Sequence, residues 1–326
     1  MRVLLTGAAG FIGSNFVRRI ADGCLTGFDS VVVLDKLTYA GVLDNLDGIN
    51  GIKDYLFVEG DICNSALVSQ LLTDIDAVIN FAAESHVDRS IGSATEFIAT
   101  NIGGVQVLLD AIKLSERKIR FVQVSTDEVY GSIDSGSWTE EWPLMPNSPY
   151  SATKAGGELL ARAYHRTHGL DVVITRCSNN YGSHHFPEKL IPLFVTNLLE
   201  GKKVPVYGNG KNVRDWLHVD DHCRGIHKVL MDGRSGEVYN IGGGRELTNL
   251  KITQLILEAM GKDESSIEYV EDRKGHDLRY SVDWTKIKNE LGYEPQVKFE
   301  DGLRDTIQWY RDNETWWKPL KERAGL

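Results

Sequence analysis

The sequence predicts an α/β fold, a doubly wound parallel sheet followed by a smaller C-terminal lobe. Three observations lead to this prediction. Short apolar runs rich in β-branched residues alternate with amphipathic segments over the first two thirds of the 326 residues. A glycine-rich turn follows the first apolar run directly. After about residue 180, prolines enter and the alternation becomes irregular, which is typical of a separate lobe that closes over the sheet.

The predicted strands are almost wholly apolar, as expected of parallel strands buried on both faces. In the C-terminal third, Thr248 is a plausible N-cap of a helix. The chain therefore divides into a first domain, 1–180, to which some later segments return, and a lobe formed mainly by 181–326. The strands are expected at 3–5, 31–34, 55–58, 77–79, 121–124 and 172–174, and the helices near 12–20, 64–72, 94–114, 149–168, 248–259 and 301–317.

Composition excludes several classes of protein. Lys and Arg number 36 against 46 Asp and Glu, a net charge of −10, which argues against a nucleic-acid binder or a polybasic membrane anchor. No apolar run approaches the ~20 residues of a membrane span, and the start does not resemble a signal peptide. The four cysteines are not spaced as in disulfide frameworks or metal sites. Some histidines lie close together in the sequence, but no second pair of metal ligands accompanies them at the spacing of a structural zinc site. We therefore expect a cytoplasmic protein without a bound metal.

The glycine-rich turn after the first strand indicates a dinucleotide-binding site of the Rossmann type. Gly7 suits a tight turn, Gly10 lets the backbone approach a pyrophosphate, and Gly13 lets the next helix pack closely on the sheet. The N-terminus of that helix offers unpaired N–H groups to the phosphates. An ordinary glycine-rich turn is the alternative, and the flanking strand and helix argue against it.

Asp35 ends the second predicted strand, about 20 residues after Gly13. A carboxylate at this point binds both ribose hydroxyls of an adenosine and repels a 2′-phosphate, so the predicted cofactor is NAD rather than NADP. Lys36, its neighbour, weakens that preference slightly. A solvated aspartate at a strand end is the alternative interpretation.

Two further motifs predict chemistry on a hydroxyl group. Tyr150 and Lys154 lie four residues apart and share one face of a predicted helix. A lysine ammonium close to a phenol lowers the pKa of the phenol, which then acts as a base near neutral pH.

Thr126, Asp127 and Glu128 follow Ser125 at the end of the fifth strand, where parallel sheets bind ligands. Two adjacent carboxyl groups can serve as acid and base, although a solvated acidic loop is the alternative.

These motifs together resemble those of the extended short-chain dehydrogenases/reductases, and specifically the dTDP-glucose 4,6-dehydratases. The Asp127–Glu128 pair is the most specific part of the resemblance. It implies a lyase with bound NAD, dTDP-glucose as substrate, a role in deoxysugar biosynthesis, and a homodimer with a four-helix interface formed by the helices near 94–114 and 149–168. The matching stretches are 6–13, 35–41, 82–91, 125–131, 150–154, 176–182, 186–192, 214–217 and 272–277.

The resemblance also assigns residues to ligands. It implies that the catalytic residues are Thr126, Asp127, Glu128, Tyr150 and Lys154. The implied cofactor-binding residues are Gly7, Gly10, Phe11, Ile12, Gly13, Asp35, Lys36, Leu37, Thr38, Asp61, Ile62, Phe81, Ala82, Ala83, Ser85, Thr100, Ser125, Tyr150, Lys154 and Asn180. The implied substrate-binding residues are Ser85, Thr126, Asn179, Glu188, Lys189, Leu190, Pro205, Val206, Tyr207, Arg214, Asn249, Asp272, Arg273 and His276.

The implied reaction has three stages. Tyr150 takes the C4 hydroxyl proton as hydride passes from C4 to NAD⁺. Glu128 then removes the C5 proton, and Asp127 protonates the departing C6 hydroxyl. Hydride returns to C6, so NAD is not consumed. A UDP-glucose 4,6-dehydratase, a 4-epimerase or decarboxylase of nucleotide sugars, and a non-catalytic NAD-binding sensor remain alternatives. An epimerase only removes and returns hydride at C4, and a decarboxylase loses a C6 carboxylate, so neither needs an acid to protonate a departing C6 hydroxyl.

Overall fold

A seven-stranded parallel sheet lies at the centre of the computed structural model, which describes residues 1–326. Two smaller sheets, of three strands and two strands, lie in the C-terminal half. The strands are β1 Arg2–Thr6, β2 Ser30–Asp35, β3 Tyr55–Glu59, β4 Ala77–Asn80, β5 Arg120–Thr126, β6 Asp171–Cys177, β7 Asn179–Tyr181, β8 Val204–Tyr207, β9 Val213–His218, β10 Val238–Ile241, β11 Glu246–Thr248 and β12 Ile267–Val270.

Helices cover both faces of the central sheet and build most of the lobe. A π-helical segment, 99–104, joins the fourth helix to the fifth. The helices are α1 Phe11–Ala21, α2 Ser65–Leu71, α3 Val87–Gly92, α4 Thr95–Ile98, α5 Val105–Leu114, α6 Pro149–His168, α7 Leu190–Leu199, α8 Val219–Asp232, α9 Asn249–Met260, α10 Thr285–Leu291, α11 Phe299–Asp312 and α12 Glu314–Ala324.

The strand order in the central sheet is β10-β6-β5-β4-β1-β2-β3. The order reverses between β1 and β4, which pair directly, and such a switch point opens a crevice at the carboxyl ends of the strands. The six strands predicted from the sequence are all present in this sheet. The seventh, β10, comes from the C-terminal half and pairs with β6, with Val238 beside Ile174.

Alternating side chains of each strand enter the two cores on the faces of the sheet. On β1, Val3 and Leu5 pack into the core beneath α1 and α8, whereas Leu4 packs into the core beneath α2, α5 and α6. A third core, which includes Trp216 and Trp317, holds the lobe together. The site is thus supported on a rigid sheet and bordered by a separately packed lobe.

The stretch from α4 to α5, Thr95–Leu114, is apolar and long enough to cross a membrane by length and composition alone. Its residues Val105, Leu108 and Leu109 are fully buried in the core shared with α2 and α6. It therefore serves as a core helix of the fold. α4 and α6 are also in contact at the surface of the domain.

The prediction of one helix over 301–317 is wrong, because the structure has two, α11 and α12. The side chain of Asn313 donates to the carbonyl oxygen of Trp309 at 2.8 Å, so it takes the place of a backbone donor and ends α11. The predicted helix near 248–259 is α9, and the hydroxyl of Thr248 caps it by accepting from the Lys251 amide at 3.1 Å.

Candidate active site

Two cavities lie side by side at the carboxyl edge of the central sheet. The first cavity, about 310 Å³, is bordered by the ends of β1, β2, β4 and β5. The second cavity, about 280 Å³, lies between α3, α7, β8 and the loop that contains Arg273 and His276. Glu188 lines both cavities. Every cofactor residue implied by the resemblance lines the first cavity except Leu37.

The floor of the first cavity is backbone with no room for side chains. Gly7 has a φ of +67°, and a Cβ there would stand 2.5 Å from the Cα of Ala82. A Cβ on Gly13 would stand 2.6 Å from the Cα of Ala8. The N-terminus of α1 opens onto this floor, and Gly10, its N-cap, contributes no side chain. The cradle therefore fits a dinucleotide pyrophosphate, which needs close approach of backbone amides.

Asp35 is held for a ribose at the end of β2. Its Oδ2 accepts from the Ala9 amide and its Oδ1 from the Leu37 amide, each at 2.8 Å. Burial raises the pKa of Asp35, and these two backbone donors oppose the rise. Leu37 itself has a φ of 53° and turns the loop without lining the cavity. Lys36 is paired with Asp61 at 2.7 Å, so its ammonium is already neutralised.

Asp127 and Glu128 are brought into the first cavity by a 3₁₀ turn, Asp127–Tyr130, that directly follows β5. The Thr126 hydroxyl donates to Asp127 Oδ1 at 3.2 Å, while Asp127 Oδ2 is buried without a partner. Burial, and next the charge of Glu128, raise the pKa of Asp127 well above its usual range. Burial also raises the pKa of Glu128, against the opposing charges of Arg214 and Lys189.

Tyr150 and Lys154 line the first cavity from the first turns of α6. The lowered phenol pKa was predicted from Lys154 together with the charge of the cofactor, and the protein groups alone act in the opposite direction. Burial, followed by the charge of Glu128, raises the pKa of Tyr150 well above its usual value. The Lys154 ammonium instead donates to the Val124 carbonyl at 2.7 Å, and burial lowers the pKa of Lys154 to about 8.

Asn101 is a positioning residue that the sequence analysis missed. It is buried in the π-helical segment, and such segments often occur at functional sites. Its Oδ1 accepts from the Glu84 amide at 2.9 Å, and its Nδ2 donates to the Glu84 carbonyl and to Thr153, each at 3.0 Å. Thr153 in turn donates to the Tyr150 carbonyl at 2.8 Å. The only signal is the polar Asn within an apolar helical run.

The second cavity contains seven of the implied substrate residues besides Glu188. The Arg273 guanidinium stands 5.1 Å from the centre of the Tyr207 ring, and His276 meets the same ring edge-on. Two further side chains line this cavity without having been assigned to a ligand: Arg89, a second cation, and His86, whose pKa is lowered by burial to about 3. The seven are Leu190, Pro205, Val206, Tyr207, Asn249, Arg273 and His276, while Ser85, Thr126, Asn179, Glu188 and Lys189 line the first cavity.

Arg214 and Asp272 line neither cavity. Arg214 stacks on Tyr280 at 4.0 Å and donates to the carbonyl oxygens of Val213 and Asp277 at 2.7 and 3.0 Å. Several N–H donors of the Arg214 guanidinium are therefore already hydrogen-bonded within the protein. Asp272 accepts from His276 Nδ1 at 2.6 Å, so it orients a ring of the second cavity.

Comparison with known proteins gives consistent results. The family model described as GDP-mannose 4,6 dehydratase matches residues 4–306. A dTDP-glucose 4,6-dehydratase of Streptomyces niveus is 58% identical over 323 residues, which are 98% of this chain and 96% of the relative. A dTDP-glucose 4,6-dehydratase from Streptomyces venezuelae, crystallised with NAD and TYD bound, shares 59% identity with a TM-score of 0.97, covering 98% of this chain and all (100%) of the other.

A more distant structure is the UDP-glucose 4-epimerase of Thermotoga maritima with UDP-glucose. It is 31% identical, with a TM-score of 0.88, and the match covers 96% of this chain and 100% of that one. The fold is therefore shared with epimerases, whereas the high identity is with dehydratases. This chain belongs to the GDP-mannose 4,6 dehydratase family and, within it, to the dTDP-glucose 4,6-dehydratases.

Proposed function

We propose that this protein is an NAD-dependent hydro-lyase that converts dTDP-glucose to dTDP-4-keto-6-deoxyglucose for deoxysugar biosynthesis. The observation that carries the proposal is the buried Asp127–Glu128 pair, which faces the same cavity as Tyr150. The relative that is 58% identical and the structure that is 59% identical are dTDP-glucose 4,6-dehydratases. We assign residues 1–180 mainly to cofactor binding and 181–326 mainly to the nucleotide sugar.

NAD fits the first cavity, because the glycine floor excludes side chains and Asp35 presents a buried carboxylate at the ribose position. Gly10, Phe11 and Ile12 would hold the pyrophosphate, with Asp61 and Ile62 at the adenine. When bound, NAD⁺ supplies a hydride acceptor that takes hydride from C4 of the sugar and returns it to C6. Tyr150 lines the same cavity, where a positively charged nicotinamide would offset the raised pKa of the phenol.

The side chains of this chain then divide the proton transfers. Tyr150 removes the C4 hydroxyl proton, and Thr126 hydrogen-bonds the C4 oxygen as it becomes a carbonyl. Glu128 removes the C5 proton, which the adjacent C4 ketone has made acidic. Asp127 donates a proton to the C6 hydroxyl, which leaves as water. Glu128 then returns a proton to C5 as C6 is reduced.

The charges around the two carboxyl groups fit this division of roles. Asp127 is fully enclosed, and burial raises its pKa, which favours the protonated form that can donate to the C6 hydroxyl. Arg214 and Lys189 oppose the rise in the pKa of Glu128, so this carboxyl is the one that ionises more readily and acts as the base. Elimination of water is the reaction that needs both groups, whereas 4-epimerisation needs neither.

The decisive experiment is a Glu128→Gln substitution tested with dTDP-glucose in D₂O, without added NAD and then with it. We expect the wild type to release one water and retain deuterium at C5, measured by mass spectrometry. The variant should bind NADH normally but eliminate water ~10²–10⁴-fold more slowly. Glu116→Gln, at an exposed position, is the matched control. A fully active Glu128→Gln enzyme would sink this assignment.

We also propose a cytoplasmic homodimer with a four-helix interface built from α4–α5 and α6. Of the four apolar residues suggested for it, Phe97 and Leu108 are buried in the protomer, but Ile98 and Leu159 are 52% and 51% exposed. Exposed apolar side chains on two helices in contact favour a protein interface. Light scattering should give a mass twice that of the 36.4 kDa chain. Leu159→Glu should reduce the measured mass to that of a single chain.

A further inference from the structure

Tyr39, Arg89 and Glu188 form a cluster between the two cavities, here called the bridging cluster. The Tyr39 hydroxyl donates to Glu188 Oε1 at 2.9 Å, and Arg89 Nε lies 3.6 Å from Glu188 Oε2. The Arg89 guanidinium also stands 3.5 Å from the centre of the Tyr39 ring. The Glu188 side chain is only 6% exposed, whereas that of Arg89 is 42% exposed, so solvent screens the Arg89–Glu188 pair more than it weakens the Tyr39–Glu188 hydrogen bond.

The cluster joins the cavities because its members border different ones. Glu188 lines both cavities, Arg89 lines the second, and Tyr39 lines neither. Tyr39 belongs to the loop 36–41, in which Lys36, Thr38, Ala40 and Gly41 line the first cavity. The Tyr39 side chain is therefore the anchor that fixes this loop to a carboxylate of the second cavity.

Other contacts hold the anchor in one position. The Tyr39 ring meets Phe186 edge-on, with 5.5 Å between the ring centres. Arg323, from α12, donates to the carbonyl oxygen of Tyr39. Burial, followed by the charge of Glu188, raises the pKa of Tyr39, so its hydroxyl stays protonated and remains a donor to Glu188.

We propose that Tyr39 is a positioning residue through which a nucleotide sugar in the second cavity slows release of the cofactor from the first. The proposal rests on the function proposed above. In that reaction the cofactor carries a hydride between two steps on one sugar, so losing the reduced cofactor in mid-cycle would abort the turnover. A link between the two cavities prevents that loss.

The direction of the effect follows from the charges. A diphosphate in the second cavity attracts Arg89 and Arg273, which line it, and so restricts their motion. A fixed Arg89 holds Glu188 and the Tyr39 ring, and a fixed Tyr39 holds the loop over the first cavity. Binding equilibria are linked reciprocally, so bound cofactor must also strengthen binding of the nucleotide.

The test measures NADH release from the full chain by stopped-flow fluorescence, with and without dTDP. In the wild type, dTDP should slow release by roughly fivefold or more. Tyr39→Phe keeps the ring and its stacking but removes the donor to Glu188, and dTDP should then slow release by less than about twofold. With dTDP-glucose, this variant should also shed free NADH during turnover.

Tyr55→Phe is the matched control, because the Tyr55 hydroxyl is buried without a partner and its removal breaks no hydrogen bond. It should keep the wild-type ratio of release rates. The inference is overturned if Tyr39→Phe also keeps that ratio, or if dTDP binds the wild type without slowing NADH release. If the wild type binds neither NADH nor dTDP, the proposed function fails first, and the inference fails with it.

Discussion

The two cavities are built in different ways. The first is a cradle of backbone, in which Gly7 and Gly13 leave no space for a side chain. The second is a ring of side chains from distant segments, with cations such as Arg89 and Arg273 and the aromatic ring of Tyr207. A backbone cradle is set once the sheet forms, whereas a ring of side chains depends on every segment that contributes to it. Substitutions at residues that line only one cavity should therefore change the affinity for its own ligand, measured in the absence of the other ligand.

The largest effect is expected for Gly7→Ala. The added Cβ would overlap the backbone of Ala82 at 2.5 Å, and a φ of +67° strains a side-chain-bearing residue. We expect NADH affinity to fall by ~100-fold, about 2.7 kcal/mol, and dTDP affinity, measured without NADH, to stay within about threefold, by fluorescence titration. Gly92→Ala, where no atom lies within 4 Å, should match the wild type. An equal loss of dTDP binding would contradict the separation of the cavities.

A smaller and opposite pattern is expected for Arg273→Gln. Loss of a cation from the second cavity removes a charge-assisted contact to the diphosphate, so dTDP should bind about 10-fold more weakly. The intrinsic NADH affinity should stay within about twofold when dTDP is absent. Isothermal titration calorimetry measures both, and Arg304→Gln, on an arginine that is 69% exposed, is the control. Weaker NADH binding by Arg273→Gln would show that the arginine also supports the first cavity.

The smallest effects concern stability, and they should have opposite signs at Asp127, in the first cavity, and Glu188, which lines both. Asp127 is buried without a compensating partner for Oδ2, whereas Glu188 is paired with Arg89 and Tyr39. Asp127→Asn should therefore raise the melting temperature at pH 8 by about 2 °C, and Glu188→Gln should lower it by about as much. Differential scanning calorimetry checks both, and the same sign for both variants would contradict the contrast.

The pH dependence sharpens this test. The pKa of Asp127 is higher in the folded protein than in the unfolded chain, so the folded state binds this proton more readily. Its contribution to stability is complete below the ordinary pKa of 3.8 and is lost as the pH rises through the folded pKa. The gain from Asp127→Asn should thus be near zero at pH 4 and increase toward pH 8.

The difference between the cavities also explains what the sequence could predict. The first cavity contains contiguous motifs at strand ends, so Gly7, Gly10, Gly13 and Asp35 could be identified from their pattern alone. The rest of the expected cofactor residues came from the resemblance, and of these only Leu37 does not line the cavity. The second required a resemblance to known proteins, since no local pattern brings Tyr207 and Arg273 together. Even then Arg214 was expected at the ligand, and the structure instead engages it with backbone carbonyl oxygens.

Electrostatic properties were the least predictable. The spacing of Tyr150 and Lys154 predicts a lowered phenol pKa, but the direction depends on burial and on Glu128, which are tertiary properties. The role of Asn101 could not be predicted either, because the fold brings its hydrogen-bond partners Glu84 and Thr153 to it from other parts of the sequence. Sequence order thus locates groups along the chain, while their ionisation depends on what the fold places around them.

The position of β10 has a consequence for synthesis on the ribosome. β6 ends at Cys177, and its partner β10 begins at Val238, about 60 residues later. At ~5–20 residues per second, the growing chain displays β6 as an open, apolar edge for about 3–12 s. Unpaired edges of this kind attract other strands, so the interval is a window for aggregation or chaperone capture. Arrest of translation between these two strands should yield the least soluble nascent chains of this protein.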